Sequence, residues 1–172
     1  MVKISVIIPT LNEGKYLENC LKSLKKQKFK DYEIIIADGL STDNTVEIAK
    51  KYTKKVISSK DKSIGAGRNK GVKIASGEIL VFTDADTIVA PNLLEKVNEA
   101  IKNEVIGATT RMIAREKTTL FEEIGLILYD LFIRLSLFIP FLTPQIAGVC
   151  LCIKMTTRHI SFCWLTGVNL TK

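Results

Sequence analysis

The chain has 172 residues, of which 47% are hydrophobic and 25% are charged, and its formal net charge is +7. This composition excludes a disordered or collagen-like chain, and the length suits one domain with its own core. The four cysteines lack metal-binding spacing, and the aromatic residues (7%) do not alternate with the lysines as a base-stacking surface requires. We therefore expect a globular protein that does not bind nucleic acid.

Short apolar runs alternate with helical patterns along the first 110 residues. Strands are predicted at 3–8, 32–37, 56–57, 79–82 and 105–110, and helices follow Asn12, Asn44, Gly65 and Pro91. Strands that alternate with helices of this length predict an α/β fold, a mostly parallel twisted sheet with helices on both faces. Ligands of such sheets bind beyond the carboxyl ends of the strands.

Four acids follow three of the predicted strands, namely Glu13, Asp38, Asp84 and Asp86. Asp84 and Asp86 are two residues apart on an extended segment, so both carboxylates are expected on one side of the rim. Hard oxygen ligands with room for more suit Mg²⁺ or Mn²⁺ held jointly with substrate phosphates. The alternative is a polar loop that caps the helix after Pro91.

A glycine cluster, 65–71 (GAGRNKG), precedes the fourth predicted strand. Its glycines would let backbone amides approach a phosphate, and Arg68 and Lys70 add positive charge. The spacing is not that of a dinucleotide-binding loop, which argues against a dehydrogenase. The alternative is a glycine-rich helix entry with surface charges. With the acid pair, the cluster predicts a diphosphate-bearing ligand and a metal that stabilises the departing diphosphate.

Four motifs in this order resemble the family-2 glycosyltransferases of the GT-A fold: 6–13 (VIIPTLNE), 38–45 (DGLSTDNT), 67–71 (GRNKG) and 82–86 (FTDAD). A weaker similarity follows at 146–154 (IAGVCLCIK), which resembles a late strand of that fold. The resemblance implies a nucleotide-diphospho-sugar transferase that moves a sugar to an acceptor with inversion and with help from a divalent metal.

The resemblance also implies roles for individual residues. The donor-binding residues would be Pro9, Thr10, Asn12, Glu13, Asp38, Gly67, Arg68 and Asp84, and the metal ligands would be Asp84 and Asp86. Among them, Asp38 would hydrogen-bond the base and Arg68 would contact the nucleotide or its diphosphate. Two positions depart from the family pattern, because Gly39 stands where a second acid is common and Leu40 where a glycine is usual.

The end of the chain does not match the family. Residues 1–116 are expected to form the donor-binding part of a single GT-A domain, and 117–154 to add an apolar helix and the late strand. Residues 155–172 form an atypical tail, expected to be truncated or frame-shifted, without the Gly-Gly-Phe-like segment and acidic motif that supply the general base. No catalytic base is therefore assigned. A donor-binding fragment without turnover and a nucleotidyltransferase-like protein remain as alternatives.

The segment 120–142 is rich in Leu, Ile and Phe. Pro140 and Pro144 argue against a membrane-spanning helix, which leaves an interfacial amphipathic helix or a core or oligomer helix. We expect peripheral membrane contact through this segment and a glycan or lipid-linked acceptor. Since no signal peptide precedes the first strand, a cytoplasmic enzyme of cell-envelope glycan synthesis at the inner membrane face is expected.

Overall fold

The computed structural model describes residues 2–102, 107–109, 124, 125, 127, 128, 131 and 151–154. Helices and strands alternate through most of this part of the chain. In chain order they are β1 (Ile4–Thr10), α1 (Leu17–Lys25), β2 (Tyr32–Asp38), α2 (Thr45–Lys50), β3 (Lys55–Ser58), α3 (Ile64–Ile74), β4 (Ile79–Phe82), α4 (Leu93–Lys102), β5 (Gly107–Thr109) and β6 (Leu151–Lys154).

The strands form a six-stranded sheet in the order β3-β2-β1-β4-β6-β5. The first four are parallel: β1 pairs with β2 and β4, and β2 pairs with β3. Strand β6 runs antiparallel to both β4 and β5, so the last described segment lies between them. The predicted mostly parallel α/β sheet is confirmed, and the late strand is one of its members.

Apolar side chains cover both faces of the sheet. On β1, Ile4 and Val6 belong to the larger core cluster, which includes apolar residues of α1, α2 and α4. The side chain of Ile7, the residue after Val6, joins Leu80 and Phe82 in a smaller cluster against α3. Strands buried on both sides explain the near-continuous apolar runs in the sequence, and the helices on both faces agree with the prediction.

The glycine cluster does not form the phosphate-binding loop expected from the sequence. Its residues lie within α3, and the N–H of Gly67 donates to the carbonyl of Ser63 (3.1 Å). A methyl group on Gly67 would lie 3.2 Å from Cβ of Pro9, and one on Gly71 would lie 2.4 Å from Cγ2 of Ile7. The glycines therefore let α3 pack close to β1.

Buried polar side chains of α1 and the residues after it fasten the loop that follows β4. The fully buried Gln27 donates through Nε2 to the carbonyl of Ala90 (2.7 Å) and accepts from the N–H of Leu94 (3.0 Å). One turn earlier, Oγ of Ser23 accepts from the N–H of Val89 (3.1 Å). These bonds hold the segment between the acid pair and α4 against α1.

Glu33 joins three parts of the chain at the amino edge of the sheet. Its carboxylate accepts from the hydroxyls of Ser5 and Ser76 and pairs with the ammonium of Lys55. Burial alone raises the pKa of Glu33, but the bonds from Lys55 and the two serines outweigh it and lower the pKa to about 2. The carboxylate therefore stays charged and stabilises this edge.

Part of the predicted apolar segment 120–142 is described, and those residues are helical. Ile124, Ile127, Leu128 and Leu131 are between 47% and 60% exposed. Within the described part of the chain, no helix is both long enough and apolar enough to cross a membrane. The rest of this segment and the predicted atypical tail, 155–172, lie outside the described residues.

Candidate functional site

A cleft of about 490 Å³ opens at the carboxyl edge of the parallel strands. Residues after β1, β2, β3 and β4 contribute to its walls, together with the first turn of α3. They are Pro9, Thr10, Leu11, Glu13, Ala37, Gly39, Ser59, Asp61, Lys62, Ser63, Ile64, Gly67, Asp84, Ala85 and Asp86. This is the edge at which open α/β sheets bind their ligands.

Six of the nine residues predicted for the site line this cleft, namely Pro9, Thr10, Glu13, Gly67, Asp84 and Asp86. The structure brings them together from the ends of β1 and β4 and from α3. The other three, Asn12, Asp38 and Arg68, lie beside the cleft and bond to protein groups. Each of the three supports a residue or loop of the rim.

Asp38 is nearly fully buried, at 2% exposure. Its Oδ1 accepts from the hydroxyls of Thr10 (3.0 Å) and Ser41, and its Oδ2 accepts from the N–H of Ser41 (2.9 Å). Both carboxylate oxygens are thus engaged within the protein. In this structure Asp38 joins the ends of β1 and β2, and a base contact by its carboxylate would require one of these bonds to open.

Asn12 braces the loop after β1 against the loop after β2. Its N–H donates to Oγ of Ser41 (2.8 Å), and its Oδ1 accepts from the N–H of Thr42 (2.8 Å). Both loops contain a residue in the left-handed region, Asn12 at φ 56° and Leu40 at φ 65°. Asparagine adopts this conformation readily, whereas leucine does so at a cost, which is consistent with the glycine that the family resemblance implies at the position of Leu40.

Glu13 faces the acid pair across the cleft. Burial, followed by the negative charges of Asp86, Asp43 and Asp84, raises its pKa. Its backbone N–H donates to Oγ1 of Thr45 at the start of α2 (2.8 Å), which fixes its position. The raised pKa reflects partial burial first and the neighbouring carboxylates second.

The acid pair has one paired and one exposed member. Oδ1 of Asp84 accepts from Nη2 of Arg68 (2.9 Å), whereas the side chain of Asp86 is exposed. Beneath them, the thiol of Cys20 donates to the carbonyl of Asp84 (3.7 Å). Burial and the charges of Asp86 and Asp84 raise the pKa of Cys20 to about 12, so the thiol stays protonated.

The charge of the cleft is opposite to that of the whole chain. Among the described residues, its lining carries the carboxylates of Glu13, Asp61, Asp84 and Asp86 but a single ammonium, that of Lys62. A second depression, of about 520 Å³ at the amino edge of β2 and β3, is lined by Lys25, Lys30, Lys54 and Lys55. Lysines thus cluster away from the cleft, and the expected positive loop beside the diphosphate is absent from the cleft lining.

Sequence reasoning missed the segment between β3 and α3, of which Ser59, Asp61, Lys62 and Ser63 line the cleft. Two signals were present: the segment follows a strand end, and Ser63 is a typical helix N-cap. Oγ of Ser63 accepts from the N–H of Ala66 (3.2 Å), and Oδ1 of Asp61 accepts from the N–H of Ser63 (2.9 Å). The short, partly buried β3 gave too weak a pattern to direct attention to its end.

The chain is similar in sequence to several bacterial and archaeal glycosyltransferases. It is 34% identical over 107 residues to the glycosyltransferase GlyG of Streptococcus pneumoniae serotype 4 and 39% identical over 108 residues to the dolichol-phosphate mannosyltransferase of Pyrococcus furiosus. Each match covers 59% of this chain, but only 36% and 31% of the two relatives. The chain therefore spans about a third of the length of these proteins.

The fold is similar to that of solved glycosyltransferase structures. A crystal structure of Staphylococcus aureus TarS bound to UDP-GlcNAc superposes with a TM-score of 0.61 at 31% identity, covering 68% of this chain and 36% of TarS. The mannosyltransferase PcManGT of Pyrobaculum calidifontis, bound to GDP-Man and Mn²⁺, gives a TM-score of 0.67 at 19% identity, covering 89% of this chain and 44% of that one.

The family model for glycosyl transferase family 2 matches residues 5–161. This range includes all four motifs, every strand end of the cleft and nearly the whole sheet. The chain belongs to glycosyl transferase family 2 and has the GT-A fold that its motifs predicted.

Proposed function

We propose that the cleft binds a nucleotide-diphosphate sugar together with a divalent cation, and that the protein transfers the sugar to an acceptor. The observation that carries this proposal is that Asp84, Asp86 and residues at the ends of parallel strands line one cleft of a family-2 fold. Six of the residues predicted to hold the donor and the metal line it.

The charge of the cleft supports a metal-assisted reaction. Four carboxylates and one ammonium line it, so a diphosphate alone would meet net repulsion. A divalent cation placed between the acids and the diphosphate converts this repulsion into attraction. For this reason we propose that donor and cation occupy the cleft together.

The residues present fit Mg²⁺ or Mn²⁺. Asp84 and Asp86 offer hard oxygen ligands, and such cations are often held by one or two carboxylates plus substrate phosphates. The described residues include no group of three acids, histidines or cysteines placed to hold a metal ion, so the proposal requires ligands from the substrate as well. When bound, the cation would stabilise charge on the departing diphosphate.

The protein's own groups would position the donor. Pro9, Thr10 and Gly67 form a wall next to which the nucleoside would lie, while Asp38 holds the hydroxyl of Thr10 in place. Glu13 stands opposite the acid pair, where it would face the cation or the sugar. Inversion at the anomeric carbon is implied by the family resemblance, and the anomeric configuration of the product, measured by NMR coupling, tests it.

The acceptor is proposed to be lipid-linked, or a glycan held near lipid, at the inner face of the cell membrane. Ile124, Ile127, Leu128 and Leu131 follow the i, i+3, i+4, i+7 spacing of one helix face, and all four are exposed. Such a face suits shallow burial in the headgroup region of a membrane. This would bring the cleft-bearing domain to the surface where a lipid-linked acceptor is found.

Vesicle co-sedimentation tests the membrane contact. The double variant Ile127→Asp, Leu128→Asp should lose binding to vesicles of phosphatidylglycerol and phosphatidylethanolamine. The control Ile74→Asp changes an exposed apolar residue of α3 and should bind like the unmodified chain. Equal binding by all three proteins, or none by the unmodified chain, would contradict the membrane proposal and leave donor binding unaffected.

Donor binding is tested by a thermal-shift screen of UDP-, GDP- and dTDP-sugars with and without Mn²⁺. A ligand that binds the folded state raises Tm by mass action, and we expect at least one donor to do so only with the cation. Asp86→Ala should abolish the shift while leaving the unliganded Tm nearly unchanged, because Asp86 is exposed. The matched control, Glu47→Ala on α2, should still show the rise in Tm with the donor and Mn²⁺.

A donor-binding unit without turnover is the second candidate, because the acids that line the cleft are proposed to hold the donor and the cation and none of the described residues is assigned as the general base. Both candidates predict donor binding, whereas donor hydrolysis or transfer occurs only with an enzyme. Release of nucleoside diphosphate from the bound donor therefore separates them. A Tm that no nucleotide sugar raises in the presence of Mn²⁺ would contradict both.

A further inference from the structure

Arg68 neutralises one of the two acids proposed to hold the cation. Its Nη2 donates to Oδ1 of Asp84 at 2.9 Å, and the two side chains are 17% and 26% exposed. The pair is thus largely shielded from water, where an ion pair is screened less than at the open surface. In the cleft without ligands, Arg68 and a cation would compete for the same carboxylate.

The packing of α3 places Arg68 at this point. Gly67 lies against Pro9 and Ala37, where a side chain would be crowded, and so the next residue is held close to the ends of β1 and β4. Arg68 itself does not line the cleft. It contacts Asp84 from the side of the helix, so the cleft remains open above the acid pair.

The guanidinium still has unused hydrogen-bonding capacity. Nε of Arg68 is buried and has no partner among the described residues. A buried donor without a partner is destabilising, so an acceptor that satisfied it would be favoured. Arginine binds phosphate oxygens well because its planar group offers several donors in a fixed geometry.

We propose that Arg68 is a positioning residue that makes the cation and the nucleoside diphosphate bind cooperatively. Without a diphosphate, Arg68 competes with the cation for Asp84 and keeps binding of the cation alone weak. A diphosphate supplies other acceptors for the guanidinium and adds negative charge, so Asp84 becomes available to the cation. The ligand classes rest on the proposed function, but the competition between Arg68 and a cation does not.

Cooperativity of this kind is reciprocal, since each ligand must raise the affinity for the other by the same factor. This cooperativity also determines when the acid pair holds a cation. A cation that reaches the cleft without a donor binds weakly and leaves, so the cleft selects the donor–cation complex over the free cation.

The test measures binding of Mn²⁺ alone, from the EPR signal of the free ion, to the full chain and its variants. Arg68→Met should bind Mn²⁺ at least about fivefold more tightly than the unmodified protein, the lower end of typical coupling factors. Arg68→Lys keeps the positive charge and should bind Mn²⁺ as weakly as the unmodified protein does. Arg68→Gln, which keeps a hydrogen-bond donor but loses the charge, should behave like Arg68→Met and serves if the methionine variant does not fold.

A double-mutant cycle ties the effect to Asp84. In an Asp84→Asn background, Arg68→Met should leave the affinity for Mn²⁺ unchanged, since the competition has been removed. Saturating UDP or GDP should raise the Mn²⁺ affinity of the unmodified protein by a larger factor than that of Arg68→Met, after correction for metal chelation by the free nucleotide.

Unchanged or weaker Mn²⁺ binding in both Arg68→Met and Arg68→Gln would overturn the inference. The inference would also be overturned if Arg68→Met raised the Mn²⁺ affinity by the same factor in the Asp84→Asn background as in the unmodified protein. Failure of the proposed function is a separate result: no nucleotide sugar would raise the Tm, although the Mn²⁺ affinities of the Arg68 variants would still differ.

Discussion

Helix α3 lies so close to β1 that a methyl group added to Gly71 would fall 2.4 Å from Cγ2 of Ile7. Ile7 is fully buried between β2 and β4, with its side chain in the smaller core cluster. It cannot move aside without disturbing the centre of the sheet. The glycine is therefore required by packing, and the same close approach holds Arg68 beside the cleft.

Gly71→Ala should lower the free energy of unfolding by about 1 to 3 kcal/mol, the usual cost of overpacking a core. Gly65→Ala is the matched control, because nothing lies within 4 Å of the added methyl group on the same helix. It should leave stability unchanged or raise it by up to about 1 kcal/mol. Urea unfolding followed by circular dichroism measures both, and equal effects of the two substitutions would contradict the packing argument.

Leu40→Gly should stabilise the protein by about 0.5 to 1 kcal/mol. The left-handed conformation costs a leucine roughly 1 to 2 kcal/mol, more than the added chain entropy of glycine. The side chain is 48% exposed, so little burial is lost. Leu40→Ala keeps a Cβ atom and should change the free energy of unfolding little. If both variants stabilised the protein equally, the cause would be removal of the leucine side chain and not relief of the backbone conformation.

Gln27→Met should lower the free energy of unfolding by about 2 to 4 kcal/mol, because the carbonyl of Ala90 and the N–H of Leu94 would both lose their buried partner. Lys26→Met, at the exposed neighbouring position, should have little effect. Hydrogen exchange provides a local readout: the amide of Leu94 should lose protection in Gln27→Met. Retained protection there would contradict the anchoring role of Gln27.

Acid should destabilise the protein in part through Glu33. Its pKa is lowered in the folded state from 4.5 to about 2, so its contribution is complete above pH 4.5 and disappears as the pH falls towards 2. A shift of this size corresponds to about 3 kcal/mol, and the side chain is only 13% exposed.

Glu33→Gln removes the titrating group. This variant should be less stable at pH 7 and should show a smaller loss of stability between pH 4.5 and 2.5 than the unmodified protein. Glu47→Gln, an exposed change on α2, should keep the normal pH dependence. Parallel acid-unfolding curves for Glu33→Gln and the unmodified protein would show that another group is responsible.

The strands were predictable because buried parallel strands leave a strong apolar pattern, but one end was misjudged. The sequence predicts a first strand at 3–8, whereas β1 continues through Pro9 to Thr10, which pairs with Asp38 of β2. The carbonyl of Ile7 faces β4 and accepts from the N–H of Thr83 (3.2 Å). Pro9, two residues later, faces the same side beyond the end of β4, so its missing N–H costs no sheet bond.

The location of the site could be predicted from the sequence, but most of its side-chain contacts could not. Strand ends fix which residues meet, and Thr10, Asp84 and Asp86 met as expected. Whether a polar side chain points to a ligand or to a neighbour depends on hydrogen-bond partners in other loops. The carboxylate of Asp38 accepts hydrogen bonds from Thr10 and Ser41, and no periodicity in the sequence predicts these partners.

The position of β6 has a consequence for how the chain folds. Strand β4, with the buried apolar sequence ILVF, is paired on one side by β1 and on the other by β6, which comes much later in the chain. During synthesis, β4 therefore keeps an open edge until residues 151–154 have left the ribosome. An open apolar edge recruits other chains, so the solubility of the nascent sheet depends on four residues that are separated from β4 by about 70 positions in the sequence.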